Sequence, residues 1–122
     1  MVNKVLIIDD DNRNIFALTA VLKAKGYRCI SAIGGEEGIE LLKQDNEVAV
    51  VLMDMMMPGM DGYQAIAEIN RLPELQNIPV IAVTAQAMVG DRERCLEAGA
   101  AGYVSKPIDV DELTGLLKRY VL

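Results

Sequence analysis

The sequence predicts an α/β fold, a five-stranded parallel sheet covered by helices on both faces. Short apolar runs of strand length alternate five times with segments whose apolar residues recur at helical spacing. The two clearest runs, VLII and VAVVLM, are continuously apolar, the pattern of strands buried on both faces. At 122 residues the chain has the size of one domain, so the five units share one core and a second folded domain has nowhere to fit.

The first strand is Lys4 to Ile8, and Asp11 or Asn12 can cap the helix that follows. That helix runs to about Lys25 with Ile15, Leu18 and Leu22 on one face, and Gly26 ends it. The second strand is about Arg28 to Ala32; Gly34 and Gly35 then turn into a short helix carrying Ile39, Leu41 and Leu42. The third strand, Val48 to Met53, ends at Asp54. After it Pro58-Gly59 reads as a turn, and Asp61 can cap a helix bearing Tyr63, Ile66 and Ile69. LPELQNIP reads as a plain connecting loop. The fourth strand, Val80 to Val83, ends at Thr84 and feeds a helix from about Ala87 to Ala98, stopped by Gly99. The fifth strand, Gly102 to Ser105, is the shortest. Lys106-Pro107 leads into a last helix, roughly Val110 to Val121, with Leu113, Leu116 and Leu117 toward the core.

Composition excludes several classes of function. Twelve Lys and Arg against eighteen Asp and Glu give a net charge of -6, which argues against a nucleic-acid footprint. No apolar run approaches the roughly 20 residues that span a bilayer, and no direct membrane contact is expected. The N terminus turns acidic where a signal peptide would stay apolar, which reads as a cytoplasmic chain. Cys29 and Cys95 have neither metal-ligand spacing nor the count of a disulfide scaffold. The absence of histidine removes the commonest general base and any phosphohistidine of the chain's own.

In an open parallel sheet the functional crevice lies beyond the carboxyl ends of the strands. Four strands deliver a polar residue there: Asp9 and Asp10 after the first, Asp54 after the third, Thr84 after the fourth and Lys106 after the fifth. Three acids gathered in one place repel unless a cation sits among them, and an all-oxygen set suits Mg2+ better than zinc. Asp54 can act as a nucleophile that carries a phosphoryl group as an acyl phosphate. The ammonium of Lys106 and the hydroxyl of Thr84 can meet the charge on the transferred group's oxygens. Each residue also has a plainer reading. Asp9, Asp10 or Asp11 could be a helix cap, Thr84 strand filler, and Lys106 a solvated loop lysine. Their joint placement at successive strand ends is what favours a site.

The acidic cluster IIDDD, the segment LMDMMMPGMDG, VIAVTA and YVSKP occur in that order, and on these motifs the chain resembles the receiver domains of two-component phosphorelays over essentially residues 1–122. The resemblance implies a doubly wound, flavodoxin-like sheet of strand order 2-1-3-4-5. It implies that Asp54 is the phosphorylated aspartate and that Asp9 and Asp10 hold Mg2+, Asp10 the more directly, with the backbone carbonyl of Met56 as third protein ligand. Thr84 then swings toward the phosphoryl group and Lys106 pairs with it. Pro107 follows Lys106 through a bond that is usually cis in the family, and Tyr103 is an aromatic switch coupled to Thr84. The plainer reading of Tyr103 is a strand residue with its hydroxyl at the surface. Such a chain catalyses its own Mg2+-dependent phosphorylation and dephosphorylation but is mainly a signalling module.

The implied partner is a histidine kinase or a histidine phosphotransfer domain. A phosphorylation-dependent homodimer through the fourth helix, fifth strand and fifth helix is also open, although composition gives it no independent warrant. RNIFAL and TAQAMVGDR look like the receiver of a hybrid histidine kinase, with a stand-alone regulator as the alternative. In receivers the side chains at the positions of Met56 and Gln86 influence how fast water reaches the acyl phosphate. Of the Met55-Met56-Met57 run, one residue is expected to pack inward and the others to flank the pocket. Three other readings compete. An aspartyl-phosphate hydrolase would want a second acid where Met56 stands. A flavin-binding protein would want glycine and hydroxyls where three carboxylates follow the first strand. A docking module that had lost the chemistry would not need the whole pocket.

Overall fold

The computed structural model describes residues 2–85 and 89–121. Among the described residues ten elements alternate: β1 (Lys4–Ile8), α1 (Asn12–Ala24), β2 (Arg28–Ala32), α2 (Gly35–Gln44), β3 (Val48–Asp54), α3 (Gly62–Arg71), β4 (Val80–Thr84), α4 (Asp91–Glu97), β5 (Gly102–Ser105) and α5 (Val110–Leu117). The strands form one parallel sheet in the order β2-β1-β3-β4-β5. This is the doubly wound order that the resemblance implies.

Side chains alternate across each strand, so the sheet sorts its apolar residues into two cores. Val5 and Ile7 of β1, Val50 and Leu52 of β3, and Ile81 and Val83 of β4 pack with Ile15 and Leu22 of α1 and Leu113 and Leu117 of α5. Leu6 and Ile8, Val51 and Met53, and Val80 and Ala82 face the other way, toward Ile39 and Leu42 of α2, Ile66 and Ile69 of α3 and Cys95 of α4. All seven residues of β3 are buried, as its unbroken apolar run requires. The edge strands β2 and β5 are only partly buried.

Local chemistry sets the element ends. The Asp11 carboxylate accepts from the Arg13 N–H and starts α1. Asp61 starts α3 through a capping box: its carboxylate accepts from the Gln64 N–H, and the Gln64 side chain accepts from the Asp61 N–H, both at 2.9 Å. Replacing Asp61 by alanine strands one of these donors and is expected to lower stability by about 1 kcal/mol, read from urea melts. Equal midpoints for Asp61→Ala and the parent would refute this.

Two boundaries and one loop differ from the sequence reading. The fourth helix begins at Asp91, not near Ala87, because Gly90 sits in the left-handed region at φ 86°, which a right-handed helix cannot pass through; Ala87 itself lies outside the described residues. The last helix ends at Leu117, short of Val121. Beyond it the Arg119 and Tyr120 N–H groups donate to Leu116 and Leu117, three residues back, and the chain tightens into a turn. The plain loop LPELQNIP is a string of turns whose Leu75 is 2% exposed and plugs the core under α3.

Candidate functional site

The strand register builds the site. Ile8 pairs with Met53, which brings Asp9 beside Asp54 one step beyond. Asp54 pairs with Val83, and Thr84 with Ser105, so Thr84 and Lys106 arrive at the same edge. The Lys106 N–H donates to the Thr84 carbonyl at 2.8 Å, fastening the start of the β5–α5 connection to the end of β4. The edge lies where the chain reverses its winding between β1 and β3, the place where an open α/β sheet leaves a crevice.

Asp9, Asp10 and Asp54 each offer a carboxylate oxygen, and these oxygens all lie within 4.8 Å of one another. Asp9 and Asp54 are 6% and 5% exposed, whereas Asp10 faces solvent. The Asp9 carboxylate accepts from the Asp11 N–H at 2.9 Å, and Asp54 Oδ1 accepts from the Met56 N–H at 3.1 Å. Lys106 Nζ stands 3.6 Å from Asp9 Oδ2 and 3.9 Å from Asp54 Oδ1. Burial pushes the Asp54 carboxyl up to about 6, and the charge of Asp9 adds to the rise; the Met56 N–H and Lys106 oppose it. One ammonium beside three carboxylates leaves excess negative charge in a half-enclosed space. A hard divalent cation with an incomplete protein shell fits that donor set, which contains oxygen alone. A cleft of about 540 Å³ adjoins the acids, floored by apolar residues of β1, β3 and β4 and walled by α1 and by Pro107 and Ile108.

The remaining positions sort themselves around this centre. Thr84 is 2% exposed at the end of β4. The Lys106–Pro107 peptide is cis. Met55 and Met57 are both buried, at 2% and 7%, and only Met56 is half exposed, so two of the three methionines pack inward where one was expected. Tyr103 does not leave its hydroxyl simply at the surface: it donates to Asp91 Oδ2 at 3.2 Å. Gln86, the other residue expected beside the phosphoryl group, lies outside the described residues.

Gly62 and Asp91 are contributors that sequence reasoning passed over. A Cβ on Gly62 would meet Met55 Cα at 2.6 Å and the Asp54 carbonyl oxygen at 3.0 Å, so α3 can press against the backbone of the acidic strand end only with glycine there. Its signal was the glycine directly after a capping aspartate. Asp91 had none, since the sequence reading places it inside a helix that starts near Ala87, where an acid reads as an ordinary solvated residue.

The family model described as the response regulator receiver domain matches residues 5–118. The chain belongs to the response regulator receiver domain family. A receiver is a phosphoacceptor in a histidine-to-aspartate phosphorelay, and the cluster of Asp9, Asp10 and Asp54 is its Mg2+-coordinating group.

Relatives of this receiver fall into two settings. It is 40% identical over 116 residues to the signal transduction histidine-protein kinase BarA of Escherichia coli K12, covering 95% of the chain but 12% of that kinase. It is 35% identical over 121 residues to the polar-differentiation response regulator DivK of Brucella ovis, covering 99% of the chain and 98% of the regulator. Among solved structures, the receiver domain of sensor histidine kinase PA1611 from Pseudomonas aeruginosa superposes with a TM-score of 0.87 at 33% identity over 98% of both chains. That structure holds a magnesium ion in its active-site cleft. Among the described residues of the present receiver, no helix is long and apolar enough to cross a membrane.

Proposed function

We propose that residues 1–122 act as one receiver domain whose phosphoryl acceptor is Asp54 and whose donor is a phosphohistidine. The observation that supports this reading most is the approach of the Lys106 ammonium to 3.9 Å from Asp54 Oδ1 inside the acidic cluster. A nucleophilic carboxylate and a fixed cation for phosphoryl oxygens thus share one pocket. An Asp54 oxygen attacks phosphorus, the bond from phosphorus to the donor nitrogen breaks, and the imidazole leaves with the bonding electrons and takes up a proton. Asp9 and Asp10, with the Met56 carbonyl, would hold Mg2+, which when bound offsets the negative charge of the carboxylates and the phosphoryl oxygens. Lys106 pairs with the phosphoryl group once it is in place, and the Thr84 hydroxyl donates to it. Tyr103 follows Thr84, and the α4–β5–α5 surface then changes its preference for partners or for a second copy of the receiver.

The donor is a histidine kinase or a histidine phosphotransfer domain, and the reading carries a cytoplasmic location with it. Similarity to BarA favours a receiver working within or beside a hybrid kinase; the full-length match to DivK is the ground for the stand-alone alternative.

Intact mass after incubation with acetyl phosphate is the test. A gain of one phosphoryl group with Mg2+, and none with a chelator, is the expected result. No gain in a chain shown to be folded would sink the reading. A second measurement concerns lifetime. Met56, half exposed beside Asp54, has no strong hydrogen-bonding group with which to orient water. Met56→Asn is therefore expected to lose its phosphoryl group several-fold faster than the parent. Equal or slower loss would oppose the argument.

A further inference from the structure

On the α4 side of the sheet a small polar cluster lies outside the acidic site. Asp91, the first residue of α4, is 5% exposed, and its carboxylate accepts a hydrogen bond from the Tyr103 hydroxyl at 3.2 Å. Cys95, one turn further along α4, is fully buried, with its sulfur 3.7 Å from the Tyr63 hydroxyl of α3. The Arg94 guanidinium lies over the Tyr63 ring, 5.3 Å from its centre. The cluster therefore ties a helix of seven residues to β5 and to α3 by side chains. Burial and the Asp91 charge both hold the Tyr103 phenol above its ordinary range, so it stays protonated and donates.

Register connects this cluster to the acidic site. Tyr103 pairs with Ala82 and Ser105 with Thr84, so Tyr103 lies diagonally across from Thr84 on the same face of the sheet. In the proposed reading Tyr103 follows a Thr84 side chain that is drawn toward Asp54. A Tyr103 hydroxyl that moves that way leaves Asp91, whose carboxylate then stays in a buried position without this donor. Hydrogen bonds to charged groups are among the stronger ones, and leaving a buried charged acceptor unmade is costly.

We propose that Asp91 is a positioning residue that holds Tyr103 in the resting arrangement and so sets how strongly phosphorylation must pull before the α4–β5 surface switches. The inference rests on the reading of Asp54 as acceptor and goes beyond it by assigning the resting state's latch. Removing the latch raises the population of the switched form before any phosphoryl group arrives. Any ligand that selects the switched form should then bind more tightly.

Beryllium fluoride with Mg2+, a mimic of the phosphoryl group on an aspartate, is the probe. Its half-saturation is read from amide NMR signals of β5 and α5 in the full chain. Asp91→Ala is expected to lower the half-saturation about tenfold, the factor that corresponds to losing roughly 1.4 kcal/mol of resting-state preference. Tyr103→Phe, which removes the hydroxyl and keeps the ring, is expected to lower it by a similar factor. The double variant should do no more than either single one, because both remove the same bond. Asp91→Asn, which keeps an acceptor without the charge, should fall between. A merely structural role would lower the melting temperature of Asp91→Ala and leave the half-saturation where it was, and that outcome overturns the inference. So do Asp91→Ala and Tyr103→Phe effects that add. If the parent chain itself binds no beryllium fluoride, the reading of Asp54 fails first and the latch falls with it.

Discussion

Replacing Asp54 by asparagine is expected to abolish phosphoryl gain and at the same time to make the metal-free receiver more resistant to urea at pH 7.5. The carboxyl of Asp54 is raised to about 6 in the fold, chiefly by burial and then by Asp9, against an ordinary value of 3.8. Between pH 3.8 and 6 the folded chain keeps a proton that the unfolded chain has released, so stability declines as pH rises through that window. Above it the folded state carries the whole penalty of a buried, repelled charge. Asparagine has no charge to desolvate, and its side-chain oxygen can still accept from the Met56 N–H. A rise from 3.8 to about 6 corresponds to about 3 kcal/mol as an upper bound, and the mouth of the site is open to water, so a gain of about 1–2 kcal/mol is expected. Near pH 4 the two proteins should differ little. Mg2+ should reverse the order in part, because it binds the folded parent; metal at ten times its dissociation constant adds about 1.4 kcal/mol. An asparagine variant less stable than the parent at pH 7.5 without metal would contradict the account of the site as a frustrated cluster.

Substituting Gly62 by alanine should destabilise the fold strongly, although it adds only one methyl group. Propensity alone predicts the opposite, since alanine is a better helix former than glycine by about 1 kcal/mol. The added Cβ would stand 2.5 Å from Met55 Sδ, 2.6 Å from Met55 Cα and 3.0 Å from the Asp54 carbonyl oxygen. A sulfur at the end of a flexible side chain can move aside; a Cα and a carbonyl cannot without shifting the strand end. A loss of about 3 kcal/mol is therefore expected in urea melts. Because the displaced backbone carries Asp54, phosphoryl gain should also slow at least about tenfold. Gly115→Ala supplies the contrast. Gly115 lies on the exposed side of α5 with nothing within 4 Å of a built Cβ, so the same change there should stabilise by about 1 kcal/mol. Equal effects at the two positions would show that propensity, and not the approach of α3 to β3, decides.

The order of elements and the residues at the strand ends were legible in the chain because both are short-range properties. The three central strands β1, β3 and β4 announce themselves as apolar runs rich in β-branched residues, and an aspartate or threonine that ends such a run can only emerge at the sheet's edge. Asp61 before a helical pattern carries its capping box within four residues. Element ends that depend on backbone torsion were less legible: Gly90 could have been a residue within a helix, and its positive φ is what delays α4. Leu75 looked like part of a polar connection, because nothing in LPELQNIP says that one leucine is swallowed by a core built from α2, α3 and β4.

By itself, then, the amino-acid sequence determined the fold class, the acidic cluster with its threonine and lysine, and the kind of chemistry such a set performs. Each of these follows from periodicity and from residue type at a strand end. Tertiary structure alone decided which apolar residues face which layer, since a strand buried on both faces shows no alternation to read. It alone decided that two methionines after Asp54 turn inward and one outward, and that glycine is required at position 62. It alone joined Tyr103 to Asp91 across twelve residues of chain. Contacts of that kind depend on how β4, β5 and α4 pack together, and a residue's neighbours in space leave no mark on its neighbours in sequence.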